Sequence, residues 1–172
     1  MKEILLNYDN ITEDQIDKTV VRVKSVLVND KNEALVGYSF DEFQFIGGHV
    51  EEGEDPNDTI VREIKEETGI DVKEKVEPFI KLTRHYKNYK GRDENRNSII
   101  YYYAIRVNEE PVIDKTTYTE SEIRGNFTIK KIPLKNLVSE IRKDRLTDKS
   151  KHVIDEEMLE VFDLYDINQL IK

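Results

Sequence analysis

The chain lacks cysteine and tryptophan, and its 172 residues include only seven glycines and four prolines. Without cysteine there can be no disulfide, thiolate zinc site or cysteine nucleophile. No run of about 18 apolar residues is present, so we expect no transmembrane helix. The N-terminal residues have no apolar core followed by small residues, which argues against a signal peptide. We therefore expect a cytoplasmic protein with no membrane partner.

Basic residues are outnumbered by acidic ones, with 27 Lys and Arg against 36 Asp and Glu, which gives a net charge of −9. Such a balance argues against extensive binding to nucleic acid. The exception is the mostly basic segment 81–96, KLTRHYKNYKGRDENR. A solvated surface loop and a loop that faces an anionic substrate are both open interpretations of this segment.

The order of the predicted elements indicates one mixed α/β domain. Alternating and β-branched residues predict strands at Thr19–Asn29, Glu33–Tyr38, Asp41–Ile46, Glu77–Arg84, Ser98–Val107 and Asn126–Ile132. Helical spacing predicts helices at Pro56–Thr68, Leu134–Arg142 and His152–Ile171. The apolar residues of the last helix are Met158, Leu159, Phe162, Tyr165 and Leu170. No repeat or flexible linker is present, so we expect one domain over 1–172, with an N-terminal extension at 1–18 and a C-terminal helix at 152–172.

The segment 48–70, GHVEEGEDPNDTIVREIKEETGI, contains a helix with clear boundary signals. Asp55 is placed to cap its N-terminus, Pro56 suits its first turn, and Gly69 suits its C-terminal end. Apolar residues at positions 60, 61 and 64 predict the face that packs on the sheet.

Three carboxylates lie beside that apolar face. Glu63 and Glu67 are i, i+4 neighbours, and Glu66 follows Glu63 by one turn. Close carboxylates repel one another, and the last turn of a helix disfavours them. The preceding Gly47-Gly48 pair lets backbone carbonyls approach a ligand closely. These residues are therefore a candidate site for a hard divalent metal, with a solvated acidic helix face as the alternative.

The whole segment resembles the signature of the Nudix hydrolase superfamily, Gly-x5-Glu-x7-Arg-Glu-U-x-Glu-Glu-x-Gly-U, in which U is aliphatic. Every specified position matches in register. The matching residues are Gly48, Glu54, Arg62, Glu63, Ile64, Glu66, Glu67, Gly69 and Ile70. The resemblance implies an α/β/α sandwich with a mixed β-sheet, to which this chain adds a C-terminal helix.

The resemblance also implies an activity, the hydrolysis of a nucleoside diphosphate linked to another group with Mg²⁺ or Mn²⁺. By motif position, Glu63, Glu66 and Glu67 are expected to bind metal, assisted by a backbone carbonyl of the Gly47-Gly48 turn. The same resemblance implies that Arg62 holds a glutamate in place and that Glu54 braces the loop against the helix. Both are counted with the catalytic residues.

The general base varies among Nudix enzymes, so the resemblance leaves it open. Glu63 is the first choice within the motif. Glu120 and Glu122 are alternatives, because many relatives contribute an acidic residue from the loop before the late strand. An exposed acidic turn is the simpler interpretation of those two residues.

Residues outside the motif must select the substrate. Basic groups of the 84–96 loop can meet phosphates, and tyrosines at alternate strand positions can stack on a base. The candidate substrate-binding residues are Arg84, Tyr86, Arg96, Tyr101 and Tyr103. A core position is the alternative for the tyrosines.

Three functions remain open: a hydrolase of a small nucleotide derivative, a hydrolase of RNA 5′ ends, and a noncatalytic nucleotide sensor. The first is favoured, because the glutamates are intact and the net charge is negative. The C-terminal helix has three open roles as well, since it can cover the site, cap the sheet or form the interface of a homodimer.

Overall fold

The computed structural model describes residues 1–145 and 154–164, which form a seven-stranded mixed sheet with helices on both faces. The strands are β1 (Lys2–Leu6), β2 (Lys18–Asn29), β3 (Glu33–Ser39), β4 (Glu42–Gln44), β5 (Ile80–Tyr86), β6 (Arg96–Val107) and β7 (Thr128–Pro133). The helices are α1 (Pro56–Thr68), α2 (Glu120–Arg124), α3 (Leu137–Arg145) and α4 (Ile154–Leu164). No helix in these ranges is long and apolar enough to cross a bilayer.

The sheet mixes parallel and antiparallel pairs. Its order is β1-β5-β6-β2-β3-β4, and β7 pairs with β3 off this path. Strands β1 and β5 are parallel, as are β2 and β6, whereas β5–β6 and all pairs of β3 are antiparallel. The long β2–β6 ladder is the centre of the sheet.

A separate apolar core covers each face of the sheet. On one face, α1 packs through Ile60 and Ile64 against a cluster that includes Tyr103. On the other face, α3 and α4 pack against a cluster that includes Tyr102 and Met158. These layers form an α/β/α sandwich with an added C-terminal helix, so the predicted fold class is confirmed.

The boundaries of α1 agree with the prediction, because local interactions determine them. The side chain of Asp55 accepts a hydrogen bond from the backbone N–H of Asn57 at 2.8 Å, and Pro56 occupies the first turn. Gly69 ends the helix with φ +73°, a conformation that favours glycine. A Cβ atom on Gly69 would lie 2.3 Å from the carbonyl oxygen of Val112.

Several other boundaries differ from the prediction. The segment 1–18 contains an unpredicted edge strand, β1, which exists because β5 supplies its hydrogen-bond partners. The predicted strand Asp41–Ile46 is shortened to β4, since Phe40 and Asp41 adopt positive φ in a turn. The segment around Glu120 is a short helix, α2, whose Thr119 and Glu122 form a capping box. Tyr165 and Leu170 lie outside the described residues.

Candidate active site

The α1 helix and the Gly47-Gly48 turn meet at one cavity of about 510 Å³. Its lining includes Glu63, Glu66 and Glu67 of α1, and both glycines of the turn. A cavity of this size suits a small-molecule ligand. The motif residues therefore converge in space, as their register along the chain predicts.

Arg62 forms hydrogen bonds with three glutamates of the motif. Its Nε and Nη2 donate to the two carboxylate oxygens of Glu54 at 2.9 and 3.0 Å. Its Nη1 donates to Glu63 Oε1 at 2.8 Å and to Glu66 Oε2 at 3.0 Å. The hydrogen bonds from Arg62 lower the pKa of Glu54 to about 2. The guanidinium thus joins the loop at Glu54 to the helix at Glu63 and Glu66.

Glu67 is the most buried carboxylate of the cluster, with 5% exposure. Burial raises its pKa well above the usual value, and the opposing influences are the charge of Lys24 and a hydrogen bond from the Gly47 N–H, at 3.0 Å from Oε2. The pKa of Glu63 is also raised by burial, against the influence of Arg62. Both carboxylates would gain from a nearby cation.

The two glycines are required by close approaches. Gly47 has φ +135°, and a Cβ there would lie 2.3 Å from the carbonyl oxygen of Val23. A Cβ on Gly48 would lie 2.4 Å from Glu63 Oε1. The Gly48 carbonyl accepts the backbone N–H of Val23, whereas the Gly47 carbonyl accepts a hydrogen bond from Lys24 Nζ. Gly47 is therefore the better candidate for a carbonyl metal ligand.

Arg22 and Lys24 of β2 also line the cavity, although neither was predicted from the sequence. Arg22 Nη2 donates to Ser98 Oγ at 3.2 Å, and its buried Nε has no hydrogen-bond partner within the described part of the chain. Burial lowers the pKa of the neighbouring His49, and the charges of Arg22 and Lys24 lower it further. The sequence does carry a signal for them: two cations stand at alternate positions of an apolar strand, which places both side chains on one face.

Glu120 and Glu122 differ in their position relative to the cavity. Glu122 lines the cavity, and its carboxyl group contacts that of Glu67 and raises the pKa of Glu67. Glu120 is exposed and is not part of the lining. The structure therefore favours Glu122 as the additional carboxylate of the site.

The five candidate substrate-binding residues do not lie together. Arg84, Tyr86 and Arg96 share the sheet face of α4, because Tyr86 is the direct partner of Arg96 in the β5–β6 ladder. Tyr101 and Tyr103 lie on the opposite face, next to the α1 core.

Tyr103 is fully buried, and its hydroxyl donates to Asn57 Oδ1 at 2.9 Å. Tyr101 and Tyr103 are offset from Arg96 by an odd number of positions along the strand, so they lie on the other face of the sheet. Tyr103 occupies a core position, which was the alternative for the tyrosines, and a role of either in substrate binding stays a prediction.

The basic loop itself forms a stack of rings and guanidinium groups. The guanidinium of Arg96 lies 3.8 Å from the ring centroid of Tyr89, and the rings of Tyr86 and Tyr89 contact edge to face at 5.3 Å. Arg84 lies over the ring of Tyr86 and also forms an ion pair with Glu160 of α4 at 3.0 Å. The loop is thus held against the sheet face that carries α4.

The donor chemistry of the cluster fits a hard divalent cation, because all of the candidate ligands are oxygens, the Glu67 carboxylate is buried and that of Glu63 is partly buried. As placed, no group of three or more His, Cys, Asp or Glu side chains among residues 1–145 and 154–164 has the geometry of a metal site. Arg62 instead forms ion pairs with Glu63 and Glu66. These ion pairs use one oxygen atom of each carboxylate, Oε1 of Glu63 and Oε2 of Glu66.

A model of the family described as NUDIX domain matches residues 18–148. The chain belongs to this Nudix family, which its fold and its motif also indicate. A search of curated proteins gave no match.

Solved structures show the same fold. The chain resembles the Escherichia coli ORF135 protein, with 15% identity, a TM-score of 0.56 and coverage of 94% of this chain and 100% of that one. It also resembles the NUDIX domain of Shewanella oneidensis NrtR complexed with ADP ribose, with 15% identity, a TM-score of 0.54 and coverage of 76% and 83%. The MutT protein from Methanosarcina mazei Go1 is similar at 16% identity, with a TM-score of 0.52 and coverage of 87% and 96%. These identities support the shared fold alone.

Proposed function

We propose that this protein hydrolyses the diphosphate linkage of a small nucleoside diphosphate derivative and depends on Mg²⁺ or Mn²⁺. The observation that carries the proposal is the convergence of Glu63, Glu67 and Glu122 on one cavity whose other wall holds Arg22 and Lys24. Acidic groups suit a metal, and the cations beside them suit a phosphate. In a protein with a net charge of −9, this juxtaposition gives an anionic substrate a local place to bind.

The residues that would hold the metal are Glu63, Glu66 and Glu67, with the carbonyl of Gly47. A bound divalent cation would neutralise the diphosphate and lower the pKa of a bound water. Arg62 orients the carboxylates, since its guanidinium contacts two of them directly.

Glu54 would brace the loop through its two hydrogen bonds with Arg62. Glu122 is our preferred general base, because it reaches the cavity from outside α1 and is free of Arg62. Glu63 is the second candidate for this role, but it is already bound by Arg62.

Substrate contacts beyond the diphosphate are assigned to the basic loop. Arg84, Tyr86 and Arg96 share one sheet face with Arg22, and the charge of Arg22 acts on Tyr86. The stack around Tyr89 offers flat faces and guanidinium groups to a base or a sugar phosphate. Because one structural neighbour was solved with ADP ribose, that compound belongs in the first substrate panel.

The test is a panel of nucleoside diphosphate derivatives with Mg²⁺, including ADP ribose, nucleoside triphosphates and a 5′-triphosphorylated RNA. We expect phosphate-containing products from a small member of the panel. Glu67→Gln should reduce kcat by about 100-fold or more while the melting temperature is kept, since glutamine can still accept the Gly47 N–H.

Full activity in Glu67→Gln would refute the metal assignment. Turnover of the RNA alone would favour the RNA 5′-end hydrolase. Nucleotide binding without any turnover would favour the noncatalytic sensor. A single domain over 1–172, a cytoplasmic location and a homodimer stay predictions.

A further inference from the structure

One lysine, Lys24, lies beside the candidate metal ligands. Lys24 Nζ donates to the carbonyl of Gly47 at 3.1 Å and to that of Phe45 at 3.4 Å. The Gly47 N–H donates to Glu67, so one residue, Gly47, connects the ammonium to the most buried carboxylate. The charge of Lys24 also acts on both Glu67 and Glu63. An ammonium held by backbone carbonyls beside carboxylates has the surroundings of a bound cation.

The position of Lys24 is imposed by the sheet. It lies on the central strand β2, opposite Tyr102 of β6, and the next bridge along β2 pairs Ser25 with Ile46. This bridge holds the Gly47 turn against β2 and brings its carbonyl within reach of the ammonium. The contact is therefore a consequence of the fold and does not depend on a mobile loop.

We propose that Lys24 is the resident counter-ion of the carboxylate centre and that it competes with the divalent cation for the Gly47 carbonyl and for Glu67. The inference rests on the proposed function, because it requires a metal at this site. In the metal-free protein, Lys24 compensates the buried charge of Glu67. A divalent cation at the Gly47 carbonyl would repel the ammonium that donates to the same oxygen atom, so Lys24 would give up this contact. The released ammonium then lies in the cavity, where it can bind a substrate phosphate.

This competition predicts that removal of the lysine charge changes metal affinity and the stability of the metal-free protein in opposite directions. Removal of the lysine charge should strengthen metal binding, since the cation no longer has to displace an ammonium. The same change should destabilise the metal-free protein, because Glu67 loses its compensating charge. The two effects are linked, since a change that destabilises the metal-free state more than the metal-bound state makes metal binding more favourable. A merely structural lysine would give weaker metal binding on removal.

The experiment compares the wild type with Lys24→Met and Lys24→Gln, the latter keeping a neutral donor for the Gly47 carbonyl. Lys18→Met is the matched control, because it removes one positive charge from an exposed position of the same strand. Dissociation constants for Mn²⁺ are measured by calorimetry, and melting temperatures are measured in EDTA and in saturating Mn²⁺. We expect about tenfold tighter Mn²⁺ binding in both Lys24 variants and no more than about a twofold change in the control. In EDTA, the Lys24 variants should melt about 3–5 °C below the wild type, and saturating Mn²⁺ should narrow that gap.

Mn²⁺ binding by both Lys24 variants that is unchanged or weaker than wild type overturns the inference. A control variant that tightens binding as much as Lys24→Met also overturns it, since a general field effect would then suffice. In both cases the proposed metal site would still be supported if the wild type binds Mn²⁺ and Glu67→Gln does not. If the wild type binds no Mn²⁺, the proposed function and this inference fail together.

Discussion

At the scale of single residues, the contact between Glu67 and Glu122 is the most informative feature of the site. A carboxylate as buried as Glu67 is costly unless a charge or a hydrogen bond compensates it. Besides the charge of Lys24 and the Gly47 N–H, the structure brings a second carboxyl group against it, which raises the pKa of Glu67 further. Two carboxyl groups in contact share a proton or a cation. This arrangement is the reason why we propose a metal at this site.

Glu122→Gln should reduce kcat by about 10- to 100-fold, because a charged group that faces the cavity is lost. The α2 helix should persist, since glutamine also completes a capping box with Thr119. Glu120→Gln is the matched control, as it lies two residues away in the same helix but outside the cavity, and it should keep wild-type kcat. Steady-state kinetics and far-UV circular dichroism provide the two measurements. Equal losses in both variants would show that charge in α2 matters in general and would remove Glu122 from the mechanism.

At the scale of elements, the C-terminal end of α1 organises the site. The backbone N–H of Val112 donates to the Thr68 carbonyl, and that of Thr117 donates to the Glu66 carbonyl, each at 2.8 Å. These bonds satisfy carbonyls that a helix leaves without partners in its last turn. They also tie the segment that leads into α2 to the helix that carries the proposed metal ligands. The end of α1 therefore positions Glu122 relative to Glu67.

Gly69→Ala should lower the free energy of unfolding by about 3 kcal/mol, because alanine is strained at φ +73° and its Cβ would meet the Val112 carbonyl oxygen. Gly53→Ala is the control, since Gly53 has a similar φ of +83° but no atom within 4 Å of the added Cβ. It should cost only about 1 kcal/mol. Urea denaturation of both variants gives the comparison. Equal losses would show that the backbone conformation alone, and not the close contact with Val112, accounts for the cost at Gly69.

At the scale of the whole molecule, α4 is part of the main core. Met158 is fully buried, and the ring of Phe162 contacts that of Phe45 edge to face at 5.6 Å. The buried hydroxyl of Tyr102 donates to Glu157 at 3.0 Å. The apolar face of α4 is therefore used within the chain, on the sheet face opposite α1. Of the three roles considered for this helix, capping the sheet is the one that these contacts support.

Met158→Ala should lower the free energy of unfolding by about 3 kcal/mol through loss of buried volume. The calorimetric transition should remain single and move down by about 6–12 °C, as expected for one cooperative domain. Asp163→Asn on the same helix is the control, because its ion pair with Arg142 is exposed and should contribute little. A second transition, or an unchanged main transition, would show that α4 folds apart from the sheet and would contradict the single domain.

The sequence by itself determined the features that depend on near neighbours along the chain. The boundaries of α1 follow from Asp55, Pro56 and Gly69, whose effects act within one helical turn. The register of the carboxylates on that helix follows from its geometry, and with it the family and the class of reaction proposed. The two layers of helices were implied by the family resemblance, and the spacing of apolar residues indicated which face of α1 is buried.

Only the tertiary structure decided what depends on contacts between distant segments. Strand β1 has no strong propensity of its own and forms because β5 is present. Lys24 reaches the Gly47 carbonyl only when β2 is placed beside the turn, and Tyr103 is assigned to the core by a helix 46 residues away. The choice of Glu122 over Glu120 likewise depends on how α2 is tied to α1. Such choices depend on the approach of side chains in three dimensions, for which the order of residues alone carries no periodic signal.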